Sequence, residues 1–386
     1  TWNKAPAQKS SRVKAIYHDA GTTSDTQRRH LDIALDPDSP TETDLVVVDL
    51  PDLPRFIEQK RLRALDRQDT TGFLDTAAKA CGYKGRQWAL PLNADAPVLA
   101  YNVNLLTKGL HMTEQALHDR YEKPNKSIYD LISEDGATAL AAMQPTHPQL
   151  KAVYAGQFGD YEGFTVNILE QLAAADANVE KDRYLTEQLS QDAVRTVSKR
   201  LMSPHFLPDG SFASPGTVNE GYDEEKAQAA LLDGTVLFAR LWPSNYKALT
   251  DSLDETKTAD FAAVALPHGV LGGQAIAIAE KSRHPKEARA LLNFLTGEMS
   301  QLQLLLEGGY IPTREVIYGD PIGERSLSVI SLSSISKATP RPSLKYYDKY
   351  SEQLRKEIRA ALDNGYQLSP DTPEHLKTAS KTGKLP

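Results

Sequence analysis

QAIAIAEKSRHPKEARALLNFLTGEMSQLQLLLEGGYIPTR (274–314) contains two kinds of periodicity. QAIAIAE is a short β-branched and alanine run of strand length. His284-Pro285-Lys286-Glu287 then leads into Ala288, Leu291, Leu292 and Leu295, the spacing of one helical stripe. Pro285 suits a first helical position, and Gly297 suits a C-terminal cap. A second helix over 299–307 stops at Gly308-Gly309. Strand, helix and helix in succession argue for an α/β protein.

The same alternation extends outward. LVVVDLPDLPRF (45–56) opens with a continuous apolar run, the pattern of a strand buried on both faces, as in parallel sheets. It ends at Asp49, where polar groups commonly face a ligand crevice. TVLFARL (235–241) and FAAVALP (261–267) read as strands. Ile168, Leu169, Leu172 and Ala173 mark one side of a helix, and Leu354, Ile358, Ala361 and Leu362 mark another. Loops near 203–221 and 311–325 read as surface excursions, and the polar tail after 366 as a loosely held end.

The 386 residues are 40% hydrophobic and 25% charged, with a net charge of −7, which is ordinary globular material. No basic stripe marks a nucleic-acid partner, and no apolar run reaches the ~20 residues of a membrane span. Cys81 is the single cysteine, so no intrachain disulfide forms; it reads as a core residue without a histidine partner. Phosphate-loop, nucleophile-elbow and HExxH signatures are missing. His111 and His118 read as surface decoration, and DPDSPTETD (36–44) lacks the glycine of a calcium loop. TWNKAPAQKS shows no leader, as in a cytosolic chain or a processed one.

In YKGRQWALPLNADAPVLAYNVNLL (83–106) the triplet Asn93-Ala94-Asp95 interrupts two apolar runs. Alone it reads as a turn or as a polar binding element. Four stretches in order carry a resemblance: this one, YEGFTVNILEQLAAADANV (161–179), DGTVLFARLWPSNYKAL (233–249), and 261–320 followed by ATPRPSLKYYDKYSEQLRKEIRAAL (338–362). Together they resemble the extracellular solute-binding proteins of bacterial ABC sugar importers, of the maltose/trehalose-binding type.

The resemblance implies a two-lobe periplasmic-binding-protein-like α/β fold, with a ligand cleft between lobes joined by hinge crossovers near Leu99–Asn102, Leu266–Pro267 and Gly308–Ile311. The first lobe would hold 1–99 and 267–307, and the second 100–266 and 308–386. It further implies that the family's first strand is missing, with VKAIYHDA (13–20) as its second. Sugar hydroxyls need paired donors and acceptors, and sugar ring faces need flat apolar surface. By family position, Asp49, Asn93 and Asp95 would bond hydroxyls and Trp242 would stack. Gly272, Gly273 and Gln274 would bring backbone and an amide close to the ligand, Gln274 standing where many relatives carry tryptophan. Arg341 would reach the sugar through its fork; Tyr246 and Glu162 are weaker candidates.

The implied protein is an extracytoplasmic, monomeric, non-enzymatic receptor, periplasmic or a cell-surface lipoprotein. It would deliver a di- or oligosaccharide to the permease subunits of an ABC importer, with no cofactor or metal. A receptor for a peptide, polyamine or iron complex, and a glycoside hydrolase, are the alternatives.

Overall fold

A computed structural model describes residues 14–19, 23–121, 129, 132, 136–175, 191–203, 222–266, 268–319, 332, 334–336 and 338–386. The chain forms two compact units. The first combines Thr1–Ala94, Gly272–Val329 and Ser343–Tyr347; the second combines Asp95–Leu271, Ile330–Pro342 and Asp348–Pro386. In chain order the strands are β1 (Leu45–Asp49), β2 (Gly82–Tyr83), β3 (Arg86–Gln87), β4 (Ala89–Asp95), β5 (Val98–Asn102), β6 (Ala152–Ala155), β7 (Val236–Leu241), β8 (Phe261–Ala265), β9 (Val270–Ile278) and β10 (Thr339–Pro340).

In the first unit β9 lies between β1 and β4. The Val-rich run of β1 is covered on both faces, as its composition demands. Val46 and Val48 pack with Leu31, Leu35, Phe56 and Ala277. On the other face Leu45 and Val47 meet Ile276, Ile278, Phe73 and Leu292. The β1–β9 ladder is antiparallel, with Asp49 opposite Gln274, rather than the parallel pairing that such a run suggests. Cys81 is a buried member of this core, and burial pushes its thiol upward.

Helix Pro285–Leu295 has Pro285 in its first turn and buries Ala288 and Leu292. Thr296 is its C-cap; Gly297 is the N-cap of helix Glu298–Gly308, which ends at Gly309 in the left-handed region. Ile311 and Thr313 are fully buried, so 311–313 is no surface excursion, whereas Glu315, Val316 and Gly319 are exposed. Gln301 Oε1 accepts from the amides of Thr313 and Arg314, and its Nε2 donates to the Pro91 carbonyl at 3.2 Å. That clamp holds 311–314 to β4 and places 308–319 in the first unit.

In the second unit the sheet order is β6-β7-β5-β8. β6 runs parallel to β7, and β5 runs antiparallel to both β7 and β8. The whole of β5 is paired here, so the expected breaks near 99 and 266 fall inside this unit; the unit boundaries are at 94/95 and 271/272. Helix Glu162–Ala175 is buried at every position from Glu162 to Ala173, well beyond a single stripe. The tail after 366 is also no loose end. Helix Thr372–Thr382 buries Leu376 and Ala379. Residues 14–19 form no strand, and Ile16 and Tyr17 are exposed. The expected loop over 204–221 and residues 320–325 lie outside the described residues.

Candidate functional site

Each unit gathers candidate residues at one end of its own sheet. In the first, Asp49 closes β1 with extended backbone and makes no side-chain cap to the turn that follows. Its Oδ2 accepts from Ser24 Oγ at 2.9 Å, in the first turn of helix Ser24–Ala34. Gln274 is its cross-strand partner. On the other side of β9, Gly273 has φ +112°, a region that favours glycine, and a Cβ there would lie 2.9 Å from the Ala94 Cα. The glycine therefore lets the Asn93–Ala94 backbone approach β9. Gly272 and Asn93 are buried. The structure thus groups Asp49, Asn93, Gly272, Gly273 and Gln274 on three adjacent strands.

The triplet Asn93-Ala94-Asp95 is the end of strand β4, not a turn. Ala94 N donates to the Ile311 carbonyl at 3.0 Å.

In the second unit, register places Asp95 and Trp242 at the same sheet end. Val98 pairs with both Leu241 and Ala265, so the chain leading into β5 lies beside the chain leaving β7 and β8. Leu266 N donates to the Pro97 carbonyl at 3.2 Å. Gly269 packs on Pro97, where a Cβ would lie 2.8 Å from the proline Cδ, and Thr339 N donates to the Gly269 carbonyl. Arg341 follows two residues after Thr339.

Trp242 is the N-cap of helix Pro243–Asp251, with extended backbone and Pro243 behind it. Its indole stacks on Arg240, whose Cζ is 3.8 Å from the ring centroid. Arg240 and Glu170 are both fully buried. They form a fork: Nη2 to Oε1 at 2.8 Å and Nε to Oε2 at 3.2 Å. Gln157 Oε1 accepts from Arg240 Nη1, and Val270 N donates to Glu170 Oε1. Burial pushes the Glu170 carboxyl upward, and the Arg240 charge pulls against it.

Arg341 Nη1 donates to Glu162 Oε1 at 3.0 Å, and Ser351 Oγ donates to Glu162 Oε2 at 2.7 Å. The pair joins two of the candidates, and both side chains are nearly buried. Tyr246 packs against the second unit's core, its hydroxyl donating to the Phe261 carbonyl. Among the described residues no group of three acidic, histidine or cysteine side chains could hold a metal, and no helix is long and apolar enough to cross a membrane.

Ser24, Gln157, Glu170 and Arg240 were not among the sequence candidates. Two of them had a signal: Arg240 interrupts an apolar strand in VLFARL, and Glu170 interrupts an apolar helix in VNILEQLAAA. A charge at such a position demands a partner.

Residues 19–325 match the family of bacterial extracellular solute-binding proteins. The chain belongs to that family. A probable ABC transporter-binding protein of Deinococcus radiodurans is 26% identical to this solute-binding protein over 243 residues, 61% of this chain. The match covers 53% of that relative, so the chain spans about half the length of the curated relative it matches. Solved structures share the fold. Maltose-bound MalE3 of T. maritima superposes with a TM-score of 0.72 at 22% identity, covering 92% of this chain and 88% of that one. UgpB of Mycobacterium tuberculosis, in complex with glycerophosphocholine, superposes with a TM-score of 0.69 at 16% identity, covering 94% and 89%.

Proposed function

We propose that this solute-binding protein is the carbohydrate receptor of an ABC importer, working outside the cytoplasm as a monomer. Asp49, Asn93, Gly272, Gly273 and Gln274 in the first unit, and Asp95, Trp242 and Arg341 in the second, are its residues for binding a di- or oligosaccharide. Closure about the chain crossings then commits the ligand for delivery to the permease. Binding drives closure only by its differential affinity for the closed state.

The observation that carries this reading is Trp242: a half-buried indole at a strand end, on the same sheet end as a carboxylate, Asp95. Flat apolar surface beside hydrogen-bonding groups is the chemistry a sugar ring requires. The maltose complex of a fold relative supports a sugar ligand. No step of this function breaks a covalent bond.

Calorimetric titration with maltose, trehalose, glycerophosphocholine and spermidine tests it. Micromolar binding of a disaccharide, without hydrolysis on prolonged incubation, is the expected result. Binding of glycerophosphocholine or spermidine in preference to both sugars would replace the sugar with another solute, and hydrolysis would make the protein an enzyme.

A further inference from the structure

From the geometry beneath Trp242 we infer that Arg240 is a positioning residue for the stacking surface, an inference that rests on the sugar-receptor reading above. Arg240 and Trp242 are two residues apart in extended chain, so the period of two puts both side chains on one face of the strand. The guanidinium is fixed from every side the structure describes. Glu170 grips it through two nitrogens, Gln157 Oε1 accepts from the third, and Gln157 Nε2 donates to the Arg240 carbonyl at 2.9 Å.

Glu170 in turn lies in a helix buried along almost its full length. A planar cation held this firmly, 3.8 Å from the ring centroid, sets the plane of the indole against it. It also covers one face of the ring. A sugar can then stack only on the opposite face, and meets it in a single orientation. Preorganisation of this kind raises affinity by removing the entropy of ordering the aromatic group on binding.

Neutralising Glu170 does not require a flat cation, since an ammonium would do so as well. The planar guanidinium serves both the two-nitrogen bond to Glu170 and the flat face under the indole. Arg240→Lys keeps a charge opposite Glu170 but loses the fork and the flat face together, so a second variant that also removes Glu170 isolates the flat face.

The experiment uses the full chain with Trp2→Phe and Trp88→Phe, which leaves Trp242 as the only tryptophan. Fluorescence anisotropy and near-ultraviolet circular dichroism report the order of its ring without ligand, and maltose titration reports its use. Far-ultraviolet circular dichroism verifies the fold. A double variant, Glu170→Leu with Arg240→Met, repeats the test with no buried charge left unpaired.

Both Arg240 variants are expected to keep the fold, lower the anisotropy, lose most of the near-ultraviolet tryptophan signal and bind maltose roughly tenfold more weakly. Unchanged anisotropy in both variants overturns the inference. So does a mobile ring with unchanged maltose affinity. Trp242→Ala in the same background tells the two failures apart. If Trp242→Ala loses binding while the Arg240 variants keep it, only the role of Arg240 falls. If Trp242→Ala binds maltose like the parent, the receptor role of Trp242 falls and takes the inference with it.

Discussion

Gly273 and Asn93 are in backbone contact across neighbouring strands: at φ +112°, Gly273 leaves no room for a side chain against the Asn93–Ala94 main chain. The site strand β4 is therefore seated on β9 through the absence of a single methyl group.

Gly273→Ala is expected to destabilise the first unit by about 1–3 kcal/mol, from left-handed backbone strain alone, with the clash added to it. Urea unfolding followed by circular dichroism measures this. A variant as stable as the parent would show that β4 and β9 can separate without loss.

The Glu170–Arg240 pair predicts an asymmetry. Removing either partner alone, as in Arg240→Ala or Glu170→Ala, should cost about 3–5 kcal/mol, because the remaining charge stays buried. Replacing both by apolar residues of similar volume should come close to the parent, since neither charge then needs desolvating. Denaturant midpoints of the two single variants and the double variant check the asymmetry. Equal losses in all three would assign the effect to packing.

Binding and stability should separate at Trp242 and Asp95. Trp242→Ala should weaken sugar binding by about 1–3 kcal/mol, the scale of a large apolar contact. Asp95→Ala should weaken it by more than about tenfold, because hydroxyls lose a charged acceptor. The melting temperature of the free Asp95 variant should stay near that of the parent, since Asp95 ends its strand without forming a turn. A marked drop in that temperature would give the carboxylate a structural role instead.

Acid should loosen the C-terminal helix. Burial pushes the Glu357 carboxyl up, but hydrogen bonds from Thr372, His375 and Gln353 outweigh it and leave the group below its ordinary range. A depressed carboxyl stabilises the fold above its unfolded pKa and loses that contribution as pH falls through the folded one. Stability should therefore decline from about pH 5 downward, with helix Thr372–Thr382 exchanging its amides earliest. Glu357→Gln should flatten that dependence, as read by hydrogen exchange at stepped pH.

Much of the α/β order was legible because two periodicities announced it. The Val run of β1 required cover on both faces, and Pro285 and Gly309 marked real helix boundaries. Pairing direction was misread, since an apolar run reports burial on both faces, usual in parallel sheets but met here in an antiparallel ladder. The unit boundaries lie at 94/95 and 271/272 rather than near 99 and 266, and nothing in VLAYN marks which unit β5 joins. The Gln301 clamp, made by an unremarkable glutamine, and backbone bonds such as Ala94 N to the Ile311 carbonyl tie 311–314 to the first unit. Candidate residues named by resemblance fall at the sheet ends, whereas Ser24 and Gln157 carried no mark, because a serine and a glutamine are common anywhere. The docking of the tail was hidden in a polar sequence whose buried apolar residues, Leu368, Leu376 and Ala379, are few.

β1 is complete at Asp49, yet the strand that pairs with it ends only at Ile278. At about 5–20 residues per second of synthesis, the nascent chain exposes an unmatched valine edge for on the order of ten seconds or more. Such an edge is a template for association with other chains. Slowing translation should therefore lower the yield of the native form.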